Sequence, residues 1–136
     1  VCEAYMEWAN GSRGGCLSPT ESEIVQLLSA EKFQCGYCSA AHTKIAGGMG
    51  LGEEECLDIR RRTSVDPKLQ ALINFTSEAL DTNGSVSDET LGAFMEAGYA
   101  TEDAIEVVAG ISVITFTSFY KHVNNTVVDF PEVDTV

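Results

Sequence analysis

Apolar residues recur along this chain at spacings of three and four, the repeat of an α-helix that buries one side. Ile24, Leu27 and Leu28, with Glu31 in line, mark one face of a helix that opens at Ser18-Pro19. Ser18 is placed to cap it, Pro19 suits its first position, and Glu21 sits near the positive end of its dipole. Leu69, Leu72, Ile73, Phe75 and Leu80 mark a second helix, opened by Asp66-Pro67 and ended by Asn83-Gly84. The last and longest helix runs from Glu102 to about Asn124, capped by Thr101, and carries Ile105, Val108, Ile111, Ile114, Phe116, Phe119 and Val123. Val107, Val113 and Tyr120 occupy its other faces, so it reads as apolar on most sides. Such a helix is expected to be buried on most sides, in the core or against another subunit.

Shorter helices fill the rest. Cys2 to Asn10 reads as the end of a helix, with further residues expected upstream, and Gly11 to Gly15 as a loop. A break is expected near Phe33-Gln34, followed by a helix from about Gly36 to Ala46 that stops in Gly47-Gly48-Met49-Gly50. These glycines match neither a Walker loop nor a GxGxxG between strand and helix, so they read as helix termination. Glu53 to Arg61 forms a short acidic-to-basic helix, and Ser87 caps another over Asp88 to Ala97, closed by Gly98. No strand-like alternation survives beyond a few residues, and there is no internal repeat. The expected class is all-α, one domain over residues 1–136.

Charge and composition narrow the function. The net charge is −13, from 21 acids against 8 bases, which opposes binding to a phosphate backbone. The one basic run, Arg60-Arg61-Arg62, is flanked by Glu53-Glu54-Glu55 and Asp58 and reads as a solvated helix face. No secretory signal is visible, and the apolar region Val107 to Tyr120 is interrupted by Gly110, Ser112, Thr115, Thr117 and Ser118. The expectation is a soluble chain that binds no nucleic acid and no membrane. Five cysteines, an odd number at irregular spacing, point to a reducing cytoplasm and away from a disulfide scaffold.

Reactive side chains gather at one place. Cys35-Gly36-Tyr37-Cys38 is followed by His42, so two thiols and an imidazole lie three and four residues apart on one helical stripe. An imidazole or a helix N-terminus favours the thiolate, and two thiols within reach can close and reopen a disulfide. A carboxylate on the preceding helix, from Glu21, Glu23 or Glu31, would orient the imidazole or relay protons. Two other readings stay open. The motif offers three zinc ligands where structural zinc takes four, with Cys16 and Cys56 each distant and alone. Alternatively, two buried cysteines lie beside a satisfied core histidine. Cys2, Cys16 and Cys56 read as packing or adventitious thiols, and His122 as structural.

Leu17-Ser18-Pro19-Thr20-Glu21-Ser22-Glu23-Ile24-Val25, followed by Cys35-Gly36-Tyr37-Cys38-Ser39-Ala40-Ala41-His42, resembles the carboxymuconolactone decarboxylase/AhpD-like superfamily in its alkylhydroperoxidase branch. The likeness continues through Asp66 to Phe75, Gly84 to Asp88, Ala97-Gly98-Tyr99, the apolar last helix, Asn124-Asn125 and Asp129-Phe130-Pro131. The resemblance implies an all-helical, oligomeric AhpD-like bundle, a trimer or hexamer, whose CxxC reduces hydroperoxides with no bound cofactor. Carried over by position, Cys38 is the cysteine that becomes a sulfenic acid. Cys35 is the partner that donates a proton and forms the disulfide, His42 the relay histidine, and Glu23 (not Glu21) the relay glutamate. The implied reductant is an external thiol or a lipoylated protein, and the implied substrate a small hydroperoxide. Two positions differ from the family pattern: Tyr37 stands where a histidine is common, and Phe33-Gln34 where Asn-Gly is common. The decarboxylase branch lacks the CxxC, so lactone decarboxylation is not expected. The alternative on the same fold is a non-catalytic oligomeric scaffold or metal-binding module.

Overall fold

Local signals set most helix boundaries. In a computed structural model describing residues 1–136, the chain forms α1 (Cys2–Gly11), α2 (Pro19–Lys32), α3 (Gly36–Gly48), α4 (Glu53–Arg60), α5 (Pro67–Thr82), α6 (Asp88–Glu96) and α7 (Thr101–Asn124), with no strand. The Ser18 hydroxyl accepts the Glu21 backbone N–H at 3.2 Å, while the Glu21 carboxylate accepts the Ser18 N–H at 2.9 Å. This reciprocal box satisfies two donors that a helix start leaves unpaired. Asp66 accepts N–H groups from Lys68 and Leu69, and Ser87 accepts from Thr90. Asn83 ends α5 in the left-handed region at φ 55°. Thr101 is not a cap: it is the first residue of α7, and the N-terminal contact runs from the Ala100 N–H to the Asp103 carboxylate at 2.7 Å. Asp103, at the third helical position, supplies the acceptor that the Thr101 assignment overlooks.

The middle of the fold is α2, which packs against α3, α4, α5 and α7. Every residue from Glu21 to Ala30 is buried, so this helix has no solvent face in its middle turns. Ile24, Val25, Leu27 and Leu28 join Leu72, Ile73, Phe75, Phe94 and Val107 in one continuous core. Phe94 stacks between Phe75 and Tyr99, with ring centroids 4.3 and 4.5 Å away.

Within the single chain, α2, read from sequence as one-sided, is surrounded. The core covers only one stripe of α7 and leaves its other apolar faces open to another subunit. The buried stripe of α7 is Asp103, Val107, Gly110, Val113, Ile114 and Ser118. Ile105, Val108, Phe116, Phe119 and Val123 are exposed, Val123 by 82%. Small residues explain the choice of stripe. A Cβ on Gly110 would lie 3.0 Å from Val25 Cγ1 and 3.3 Å from Gln26 Nε2, so α7 rests almost backbone-first on α2. Counting large apolar residues misses a contact made by removing side chains. By length and composition α7 is also apolar enough to cross a bilayer, its polar interruptions notwithstanding; here it packs along α2.

Arg60 departs from the solvated face read for its basic run. It is buried, and its Nε donates to Glu31 Oε2 at 2.6 Å and its Nη2 to the Asp134 carbonyl at 2.5 Å. Burying a guanidinium requires such partners. Arg62 fits the solvated reading, bridging with Lys32 to the exposed Asp81.

Candidate active site

A tight turn between α2 and α3 sets the site. Phe33 closes α2, and Gln34 adopts a left-handed conformation at φ 51°. The Cys35 N–H then donates to the Ala30 carbonyl at 3.0 Å, folding the chain back so that α3 lies along α2. Left-handed backbone is costly for a residue with a Cβ, which is why glycine or asparagine suits such a position. The Gln34 carbonyl also lies 3.3 Å from His122 Nε2, in keeping with a structural His122.

Cys35 is the residue capping α3, and its sulfur accepts the Cys38 N–H at 3.3 Å. The two cysteines are joined as a disulfide, their Cα atoms 5.2 Å apart. One turn further along, His42 Nδ1 lies 2.7 Å from Glu23 Oε2, which projects from the buried middle of α2. Both side chains are almost fully enclosed, 10% and 3% exposed. With Nδ1 engaged, Nε2 is the imidazole nitrogen left to serve a reacting group.

Of the three glutamates on α2, only Glu23 reaches the histidine. Glu21 belongs to the capping box and also accepts from the Tyr99 hydroxyl at 2.8 Å and pairs with Lys68 at 3.2 Å. Burial pushes its carboxyl up, but Ser18, Tyr99 and Lys68 outweigh that and lower it to about 2. Glu31 holds Arg60 and accepts from the Ser39 hydroxyl.

A further residue at the site escaped sequence reasoning. Ser118, wholly buried on α7, places Oγ 3.5 Å from Cys38 Sγ. Other hydroxyls of that helix turn back on it: Ser112 donates to Ala109, Thr115 to Ile111, and Thr117 to Val113 and Ile114. Ser118 makes no such bond, and the sulfur is its one side-chain partner. Its signal in the sequence is faint, a serine at the spacing of Ile111 and Ile114 in an apolar helix. The reading there of Ser118 as a mere interruption missed it.

Solvent reaches the disulfide through a pocket of about 110 Å³ lined by Cys38 and His42 together with Tyr5, Arg13, Tyr37 and Lys121, among others. Cys35 does not line it. Access is therefore to the second cysteine of the motif, at the end where the histidine also lies. Tyr37 forms part of the wall: its ring meets Phe130 edge-on at 5.3 Å, and Lys121 Nζ sits 4.0 Å above it. Burial, and then Asp129 beside it, push the Tyr37 hydroxyl up, so it stays neutral and cannot carry charge in a relay near neutral pH.

A larger cavity of about 460 Å³ opens on another face of α3, between α4 and residues 131–134. It holds neither the disulfide nor His42; Cys38 and His42 line the smaller pocket instead. No group of three or more His, Cys, Asp or Glu residues is arranged to hold a metal ion. Cys56 is a free thiol packed in the core, pushed up first by burial; Cys2 and Cys16 are free and exposed.

No protein-family model matches the chain, and no curated protein does. Solved structures do. One is a protein of unknown function from Agrobacterium tumefaciens for which an AhpD antioxidant-defence role has been suggested, with a TM-score of 0.82 at 16% identity, covering 92% of this chain and 88% of that one. An uncharacterised peroxidase-related protein from Silicibacter sp. TM1040 gives 0.82 at 14%, over 92% and 68%. The debrominase Bmp8, in complex with 2,3,4-tribromopyrrole, gives 0.79 at 15%, over 93% and 69%. The chain has the AhpD-like fold.

Proposed function

We propose that this protein is a thiol-dependent hydroperoxide reductase. The observation that carries the reading is that Cys38 and His42 line one small pocket, Cys38 joined to Cys35 in a disulfide and His42 held from behind by Glu23. In the reduced protein His42 takes the Cys38 proton, and the imidazolium is held by the Glu23 carboxylate. The Cys38 thiolate attacks the terminal oxygen of the hydroperoxide and the O–O bond breaks. The alkoxide leaves with the proton from His42, giving an alcohol and a Cys38 sulfenic acid. Cys35 then attacks that sulfur; its proton goes with the departing hydroxide as water, and the disulfide forms. The sum is one hydroperoxide and two thiols converted to one alcohol, one water and one disulfide. Ser118 donates a hydrogen bond to the Cys38 thiolate, and bonds to a charged acceptor are the stronger ones.

An external thiol restores the dithiol, either a small dithiol or the lipoyl group of a partner protein. A reducing cytoplasm suits this cycle. The exposed apolar side of α7, with Ile105, Val108, Phe119 and Val123, is where copies of the chain would associate into the expected trimer or hexamer.

Prereduced protein mixed with tert-butyl hydroperoxide is expected to lose two thiols per chain and yield one tert-butanol. Cys38→Ser is expected to abolish both. The reading is overturned if hydroperoxide is not consumed, or if Cys38→Ser consumes it at the wild-type rate. Turnover of a brominated pyrrole without hydroperoxide turnover would transfer the site to the debrominase reaction.

A further inference from the structure

The charges around the pocket run against the charge of the chain. With 21 acids and 8 bases, a cation here has many carboxylates to pair with. Lys32, Arg60, Arg62 and Lys68 do pair, with Asp81, Glu31, Asp81 and Glu21 respectively. Arg13, Lys44, Arg61 and Lys121 form no ion pair, and of these Arg13 and Lys121 line the small pocket at Cys38. Lys121 lies over the Tyr37 ring, which fixes it without neutralising it. No carboxylate lines the pocket: Glu23 is engaged by His42, and Asp129 approaches Tyr37 from outside the lining. Two cations without an ion-pair partner in the lining of a small, largely apolar pocket focus positive potential there, although the chain as a whole is negative.

Size adds a second constraint. A pocket of about 110 Å³ is only a few water volumes, each of about 30 Å³. It admits a peroxide group and a short branched chain, with Arg13 and Lys121 among the residues that surround any further group of the substrate.

We propose that the pocket selects small hydroperoxides bearing a carboxylate, with the peroxide against Cys38 and the carboxylate held by Arg13 and Lys121. This rests on the hydroperoxide reductase reading and names the substrate class it acts on. The reaction balances as written above, the carboxylate taking no part in bond changes.

The test compares 3-hydroperoxy-3-methylbutanoate with its methyl ester, with excess dithiol as reductant. The acid is expected to show a KM about fivefold to tenfold below that of the ester, as suits two partly solvated ion pairs. That ratio is expected to shrink with added salt and to fall to near one in the Arg13→Gln/Lys121→Gln double variant. Equal KM for acid and ester in the wild type, with both turned over, overturns the anion preference and leaves the reductase reading standing. If neither is turned over, the reductase reading falls, and binding of the product acid 3-hydroxy-3-methylbutanoate judges the anion site alone. Chemical-shift changes at His42 that the double variant loses support the site. No change in the wild type, or an equal change in the double variant, overturns it.

Discussion

Glu23 Oε2 sits 2.7 Å from His42 Nδ1, and this contact, closed off between α2 and α3, ties the most buried helix of the fold to the reactive motif. The glutamate lies in the core and not at a rim, so the imidazole has little freedom to reorient. His42 itself lines the pocket that Cys38 also lines. In the proposed reductase, Glu23 would orient the base and stabilise its charged form, as a third group does behind an activated nucleophile.

Removing that charge while keeping the shape tests the relay. Glu23→Gln is expected to lower kcat for tert-butyl hydroperoxide by about 100-fold, within the usual range for general acid–base catalysis. Glu21→Gln, two residues away but engaged with Ser18, Tyr99 and Lys68, is expected to change kcat less than about twofold. Steady-state rates of the two variants decide this; equal losses would undo the assignment of Glu23.

Glu21 should appear instead in acid stability. Its carboxyl lies lower in the folded chain, about 2, than its ordinary value of 4.5. A depressed group adds stability that is complete above the unfolded value and is lost as pH falls through the folded one. The urea midpoint of the wild type is therefore expected to fall between pH 4.5 and 2, and that of Glu21→Gln to fall less steeply over the same window. At pH 7 the variant is expected to be less stable by roughly 2 kcal/mol, the scale of lost hydrogen bonds to a charged group. Parallel curves for the two proteins would show that the carboxylate is not linked to folding.

The turn before the motif carries strain that a single substitution relieves. Gln34 is left-handed at φ 51°, and its carbonyl contact with His122 comes from the backbone, so it survives a change of side chain. Gln34→Gly is expected to raise stability by about 0.5 kcal/mol, the relief of left-handed strain partly offset by a freer unfolded chain. Chemical denaturation measures it, and a loss above 1 kcal/mol would mean that the Gln34 side chain holds the turn.

Ser118 makes the pH profile informative. If its hydroxyl donates to the Cys38 thiolate, Ser118→Ala removes one hydrogen bond to a charged acceptor, worth about 1.5 kcal/mol. The pH at which peroxide reduction is half-maximal is then expected to move up by about one unit. A lower rate at every pH with an unmoved midpoint would mean that Ser118 only packs.

Much of this was legible in the chain, for identifiable reasons. Caps and breakers act locally, so Ser18, Asp66, Asn83, Ser87 and the cysteine turn mark their helices from sequence alone. The stripe of Cys35, Cys38 and His42 follows from helical spacing, and the match of Glu23 came from a family resemblance rather than from spacing. Burial was less legible. In sequence α2 carries one apolar face and α7 several, yet α2 is the helix the chain encloses, and α7 meets it at a close approach of Gly110 that no periodicity reveals. Ser118 and the two pocket cations meet the motif across separations of many residues, so nothing local marks them. Tyr37, which stands where the family commonly has a histidine, forms part of the pocket wall.

The most direct measurement is to trap the first intermediate. In reduced Cys35→Ser protein the second thiol is missing, so a Cys38 sulfenic acid cannot pass on to the disulfide and persists long enough to be labelled. Peroxide followed by dimedone and peptide mass spectrometry is expected to place one adduct at Cys38, in proportion to hydroperoxide consumed. Hydroperoxide consumption with no adduct at Cys38, or none consumed at all, would contradict the account.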